Sequence, residues 1–108
     1  MANDLDSLLP AATVVLVRQG DSGMQTLLLR RNSALRFAGG NWVFPGGRID
    51  AADYPEVTIP SDFEVSSQRP EGEFAAAKVA AVRETYEETG LAIDADQLVY
   101  FAHWVAPP

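Results

Sequence analysis

RETYEETG, residues 83–90, closes a run of good helix formers and sets three glutamates in the last two turns of the helix it implies. A helix gathers partial negative charge at its C-terminus, so Glu84, Glu87 and Glu88 work against the dipole and against one another. Residues three and four apart share a helix face. The three carboxylates are therefore expected to converge at one end of one side, while Phe74, Ala77, Ala81, Val82 and Thr85 offer an apolar side. Such a group stays ionised at low cost only beside a cation, and an all-oxygen cluster suits hard divalent ions such as Mg²⁺ or Mn²⁺. Taken alone, a Glu-Glu pair near a helix end is more often an ordinary solvated face.

Outward from that stretch, the composition from Glu71 to Thr89 predicts one continuous helix, and Gly90 followed by Leu91 fits a left-handed cap with its hydrophobic contact. Residues 51–70, AADYPEVTIPSDFEVSSQRP, hold three prolines and no sustained period, and read as an inserted surface loop. Before them, FPGG (44–47) stops the short apolar piece NWVF in a turn whose glycines allow close backbone approach. AATVVLVR (11–18) and MQTLLLRR (24–31) read as strands, and the QGDSG loop between them predicts an antiparallel hairpin. After the helix, QLVYFAHWV (97–105) is expected to be a further strand, with His103 and Trp104 as a half-buried pair. Trp42 and Phe44 are likewise expected in the core rather than on a nucleotide-stacking surface. Residues 1–10 read as a loose arm.

Composition is consistent with a single domain over residues 1–108. The chain is 47% hydrophobic and 21% charged, enough to bury roughly two-thirds of its unfolded surface. Fifteen acidic against eight basic residues give a formal charge of −7, which argues against binding to a nucleic acid polymer or an anionic membrane through the overall field. An anionic ligand would need local help, and seven of the eight basic residues are arginine, whose planar fork suits phosphate oxygens. No cysteine is present, so neither a disulfide framework nor a thiolate metal site is available. The acidic MANDLDSLLP start does not resemble a signal peptide, and the expected location is the cytoplasm.

Glycines, an Ala-rich helix and R-E-T-Y-E-E-T-G-L together resemble the Nudix hydrolases, whose box runs G-x5-E-x7-R-E-U-x-E-E-x-G-U with U aliphatic. Arg83, Glu84, Glu87, Glu88, Gly90 and Leu91 match its second half. The first half departs: twenty-five residues separate Gly47 from Glu73 and nine separate Glu73 from Arg83, and Thr85 stands where the box has an aliphatic residue. An insertion in the loop of the box accounts for the spacing and leaves its first acid unassigned, with Glu71 and Glu73 as candidates. Residues 27–47, LLLRRNSALRFAGGNWVFPGG, are also similar to the signature of the coenzyme A diphosphatase branch, peroxisomal-type members of which carry a long insertion in the box.

The resemblance implies an α/β fold, a Nudix-type α/β/α sandwich with a mixed sheet, incomplete at its C-terminus. The implied activity is metal-dependent hydrolysis of a small-molecule nucleoside diphosphate linked to another moiety, such as coenzyme A. Glu84, Glu87, Glu88 and the Gly46 carbonyl are the implied ligands for Mg²⁺ or Mn²⁺, Glu84 the in-box candidate for general base, and Arg83 the residue that orients a glutamate. Arg31 and Arg36 fall at substrate-binding positions. ADP-ribose or nucleotide-sugar hydrolysis, diphosphate isomerisation and non-catalytic nucleotide binding are the alternatives. Because complete relatives continue beyond the 97–105 strand, a homo-oligomer or a longer chain is expected.

Overall fold

The computed structural model describes residues 9–30, 40–56 and 72–105. Arg31, Arg36 and Glu71, all named above, lie outside these residues, as do most of the expected loop and arm.

Strand β1, Ala11–Thr13, begins a run in which Ala12 and Val14 are buried while Ala11, Thr13 and Val15 are exposed. That is the period of two expected where one strand face meets a core. β2 (Val17–Gly20) and β3 (Gly23–Thr26) form the expected hairpin, with Val17 opposite Thr26 and Gly20 opposite Gly23 across a two-residue Asp21-Ser22 turn. Past the ladder, Leu16 O accepts from both the Leu27 amide and Thr26 Oγ1, at 3.2 and 2.7 Å. The two predicted long strands are thus each broken in the middle, because the chain changes partner. β4 (Leu29–Arg30) pairs with β5 (Trp42–Val43), and β1 pairs with β6 (Gly46–Arg48).

Among the described residues the result is three two-stranded antiparallel sheets. The fold is of the expected α/β class, but no parallel pair of the expected mixed sheet forms among the described residues. Residues 97–105 are a second difference. Ala95–Gln97 is a 3₁₀ turn, residues 98–105 form no strand, and Trp104 is 77% exposed rather than half-buried. A strand exists only where a neighbour completes its ladder, and no described segment pairs with this one. Its start is nonetheless seated: Leu98 packs against the core and the Tyr100 ring lies 5.9 Å from that of Phe74.

Helix α1, Glu73–Thr89, is the main element. It closes as predicted, with Gly90 at φ 78° donating its amide to Tyr86 O at 2.8 Å, a conformation glycine adopts without steric cost. Thr89 finishes the end: its hydroxyl donates to Thr85 O at 2.6 Å and accepts from the Leu91 amide at 3.0 Å. No described helix is long and apolar enough to cross a membrane.

The core is built from small residues. Ala12 and Val14 of the β1 run meet Ala80 and Ala81 of α1, with Leu16, Ile49, Ala77, Ile93 and Leu98 around them. The buried stripe of α1 is Glu73, Ala76, Ala80, Ala81 and Thr85, so it is more alanine-rich than the face expected from the sequence and is rotated from it, with only Ala81 and Thr85 in common. Alanines let the helix axis approach the β1–β6 pair closely, and glycine is needed within that pair. A Cβ on Gly46, whose φ is 158°, would sit 2.2 Å from Ala12 O.

Thr85, fully buried where the box carries an aliphatic residue, has a hydroxyl with no hydrogen-bond partner. A buried hydroxyl left unpaired costs about 1–3 kcal/mol. Thr85→Val keeps the branched shape and deletes the orphan group, so the urea midpoint should rise by an amount equivalent to about 1 kcal/mol at constant m-value. A lower midpoint would mean that the hydroxyl finds a partner in solution.

Candidate functional site

The end of α1 is brought onto the Pro-Gly-Gly turn by one direct bond. The Gly46 amide donates to Glu88 Oε1 at 2.9 Å across forty-two residues of sequence. Glu84, one turn earlier, lies on the neighbouring residue: a Cβ on Gly47 would fall 2.5 Å from Glu84 Cδ and 2.8 Å from Oε1. Gly47 therefore leaves room for a carboxylate rather than merely making a turn. Two glutamates from the helix pole thus border two consecutive glycines.

Glu87 is exposed. Among the described residues no group of three or more acidic, His or Cys side chains is gathered so as to hold a metal ion. The tight three-carboxylate convergence expected from helical spacing is not present, because Glu84 and Glu88 each turn to a separate partner. Glu88 takes the Gly46 amide, and Glu84 Oε1 accepts from Arg83 Nη1 at 2.8 Å. Those partners also relieve the repulsion at the negative end of the helix.

Arg83 does more than hold Glu84. Its Nη2 reaches Asp53 Oδ2 at 2.7 Å, Asp50 Oδ2 at 3.3 Å and Arg48 O at 3.3 Å. One guanidinium therefore ties α1 to the end of β6 and to the 3₁₀ turn Ala51–Asp53 that follows it. Asp53 is only 7% exposed, and its Oδ2 also accepts from the Asp50 amide at 2.7 Å. Burial pushes the Asp53 carboxyl up, but the hydrogen bonds from Arg83 and the Asp50 amide and the charge of Arg83 together outweigh it and hold the group below its usual value. The same Asp53 contact raises the Arg83 guanidinium above its ordinary value, against the lowering effect of its partial burial.

Asp53 and Asp50 are absent from the candidates drawn from the sequence, although a signal for Asp53 was there. It stands six positions after Gly47, the G-x5-acid spacing of the box with Asp in place of Glu. Placing the insertion before the first acid hid it; with Asp53 as that acid, the extra residues follow it. Glu73, one of the two earlier candidates, is the buried first residue of α1, about 15 Å along the axis from Arg83. His103 is exposed and lies in the segment after Leu98, away from any element of this site in sequence.

A family model described as the NUDIX domain matches residues 8–108. Among solved structures, the chain is similar to the crystal structure of a NUDIX hydrolase from Alicyclobacillus acidocaldarius, with 30% sequence identity and a TM-score of 0.54. That similarity covers 74% of this chain and 36% of the other, so the chain spans about a third of that protein's length. Comparison with curated proteins gives no match. With the family match running over nearly all of its residues, and Arg83, Glu84, Glu87, Glu88 and Gly90 closing its one long described helix, the chain belongs to the NUDIX domain family.

Proposed function

We propose that this chain carries the catalytic end of a metal-dependent hydrolase that cleaves the diphosphate linkage of a nucleoside diphosphate joined to a second moiety, with coenzyme A as the favoured substrate. The observation that carries the reading is the 2.9 Å bond from the Gly46 amide to Glu88, which holds the acidic helix pole against the glycine turn. Mg²⁺ is the favoured ion, Mn²⁺ the alternative. Magnesium is typically held by one or two carboxylates together with water and substrate phosphates rather than by a full protein cage. Glu84 and Glu88, bordering the same two glycines, fit that requirement without a third carboxylate, and Glu87 and the Gly46 carbonyl complete the proposed donor set. When bound, the ion polarises a phosphoryl oxygen and lowers the pKa of a coordinated water.

The protein's own part is positional. Arg83 fixes one oxygen of Glu84 and leaves the other to take the proton of the attacking water, which makes Glu84 the proposed general base. Asp53, with Asp50, fixes Arg83 in turn. Arg31 and Arg36 are proposed to hold substrate phosphates, in keeping with the similarity of residues 27–47 to the coenzyme A diphosphatase signature.

Three expected outcomes follow. Glu88→Gln keeps an oxygen that can accept from Gly46 but removes the charge, so kcat for diphosphate cleavage should fall at least about a hundredfold, a loss of about 3 kcal/mol of transition-state stabilisation. His103→Ala should do far less, and equal impairment of the two would refute the assignment. For the coenzyme A specificity, Arg31→Ala and Arg36→Ala should each raise KM for coenzyme A; coenzyme A ranking among the poorest substrates in a panel with ADP-ribose and nucleoside triphosphates would remove that specificity and leave the hydrolase reading standing.

Asp53→Asn tests the positioning chain. Because the Asp53 carboxyl is held below its ordinary value of about 3.9, its stabilising effect is complete above that pH and is lost as the pH falls through the folded-state value. The Asn variant should show a flatter acid limb in thermal melts, with kcat at neutral pH lowered roughly ten- to a hundredfold. An unchanged acid limb would mean that the ion pair does not form in solution.

A further inference from the structure

We propose that the outward face formed by Arg30, Trp42 and Phe44 seats the nucleoside part of the substrate, with the indole of Trp42 stacking on the base and Arg30 meeting a phosphate. The inference rests on the hydrolase reading above and adds the group that would recognise the substrate's base.

The β4–β5 pair sets Arg30 directly opposite Trp42 and Leu29 opposite Val43. Directly opposite residues share a face, and residues two apart along a strand do too. Burial follows that rule closely: Leu29 and Val43 are partly covered, whereas Leu28, Arg30, Trp42 and Phe44 point outward. Trp42 is 63% exposed and Phe44 38%, which overturns the expectation that both belong to the core. The guanidinium of Arg30 has no ion-pair or hydrogen-bond partner among the described residues.

Three arguments favour a nucleoside diphosphate over other occupants. Trp42 precedes Gly46 by four residues, at most about 14 Å of extended chain, so a base on the indole and a diphosphate at the glycine turn are spanned by one small ligand. The chain has a net charge of −7, so an anion needs a local cation, and Arg30 stands beside the ring that would hold its base. The face is also small. Two aromatic side chains of about 150–250 Å² each fall short of the roughly 800 Å² per partner that a stable protein interface buries, but they match one nucleoside.

In a Trp104→Phe background, Trp42 is the sole indole of the chain, and its fluorescence reports directly on the proposed seat. Adenosine 5′-diphosphate should quench it saturably, while inorganic pyrophosphate, which has no base, should not. Calorimetry should show Trp42→Ala weakening adenosine diphosphate binding by about tenfold, within the range of base–aromatic stacking, with Trp42→Phe recovering part of the loss. Arg30→Ala should weaken it as well. Because these side chains are exposed, far-ultraviolet circular dichroism of the variants should be unchanged. Equal binding by wild type and Trp42→Ala, absence of any adenosine diphosphate binding, or a Trp42 signal that follows protein concentration and particle mass instead of ligand would each overturn the proposal. The last result would assign the face to a second copy of the chain. Saturable quenching with no diphosphate cleavage would sink the hydrolase reading and leave the seat in place.

Discussion

One guanidinium holds the parts of this site in register. Arg83 projects from the penultimate turn region of α1 and contacts Asp53, Asp50, the Arg48 carbonyl and Glu84. A lysine could supply the charge but not the planar fork, which lets one nitrogen serve the segment after β6 while the other serves the helix. Without that link, β6 would still pair with β1 and Ile49 would still pack beside the α1 alanines, but the ion pairs from the turn after β6 to the acidic end of the helix would be lost. The arrangement of Glu84 over Gly47 and of Glu88 on the Gly46 amide depends on this fixed distance between α1 and β6.

That closeness has a packing origin as well. The face of α1 that meets the strands is alanine, and the strand residues nearest the glutamates are glycine. Large apolar side chains in these places would bury more surface, about 25 cal/mol per Å², but would push the carboxylates away from the backbone they border. The molecule thus trades core volume for approach. The cost shows elsewhere: Trp42, Phe101 and Trp104 stay on the outside, and Thr85 carries an unpaired hydroxyl through the middle of the packed face.

The negative pole of the helix illustrates how neighbours change the meaning of a charge. Three glutamates at a C-terminus repel one another in an isolated helix. In the folded chain, Glu88 accepts from a backbone amide, Glu84 accepts from Arg83, and Glu87 faces solvent. Two of the three are therefore balanced by groups that come from outside the last helical turn or from its arginine, and each is oriented by its partner.

The hairpin at residues 17–26, the long helix and its left-handed Gly90 cap were legible in the sequence, because each follows from local chemistry: a short polar turn between β-formers, a run of helix formers, and a glycine where the helix C-cap needs positive φ. So were the residues of the helix end, since helical spacing alone sets Glu84 and Glu88 one turn apart. What each of them touches was not legible. The bond between Gly46 and Glu88 and the bridge from Arg83 to Asp53 join positions forty-two and thirty residues apart, and no local preference encodes such a pairing. Asp53 read as the start of a loop because a carboxylate becomes a buried partner only once an arginine reaches it. Residues 97–105 read as a strand because β-propensity measures fit to a sheet, and only the tertiary structure decides whether a neighbouring strand is there to make one.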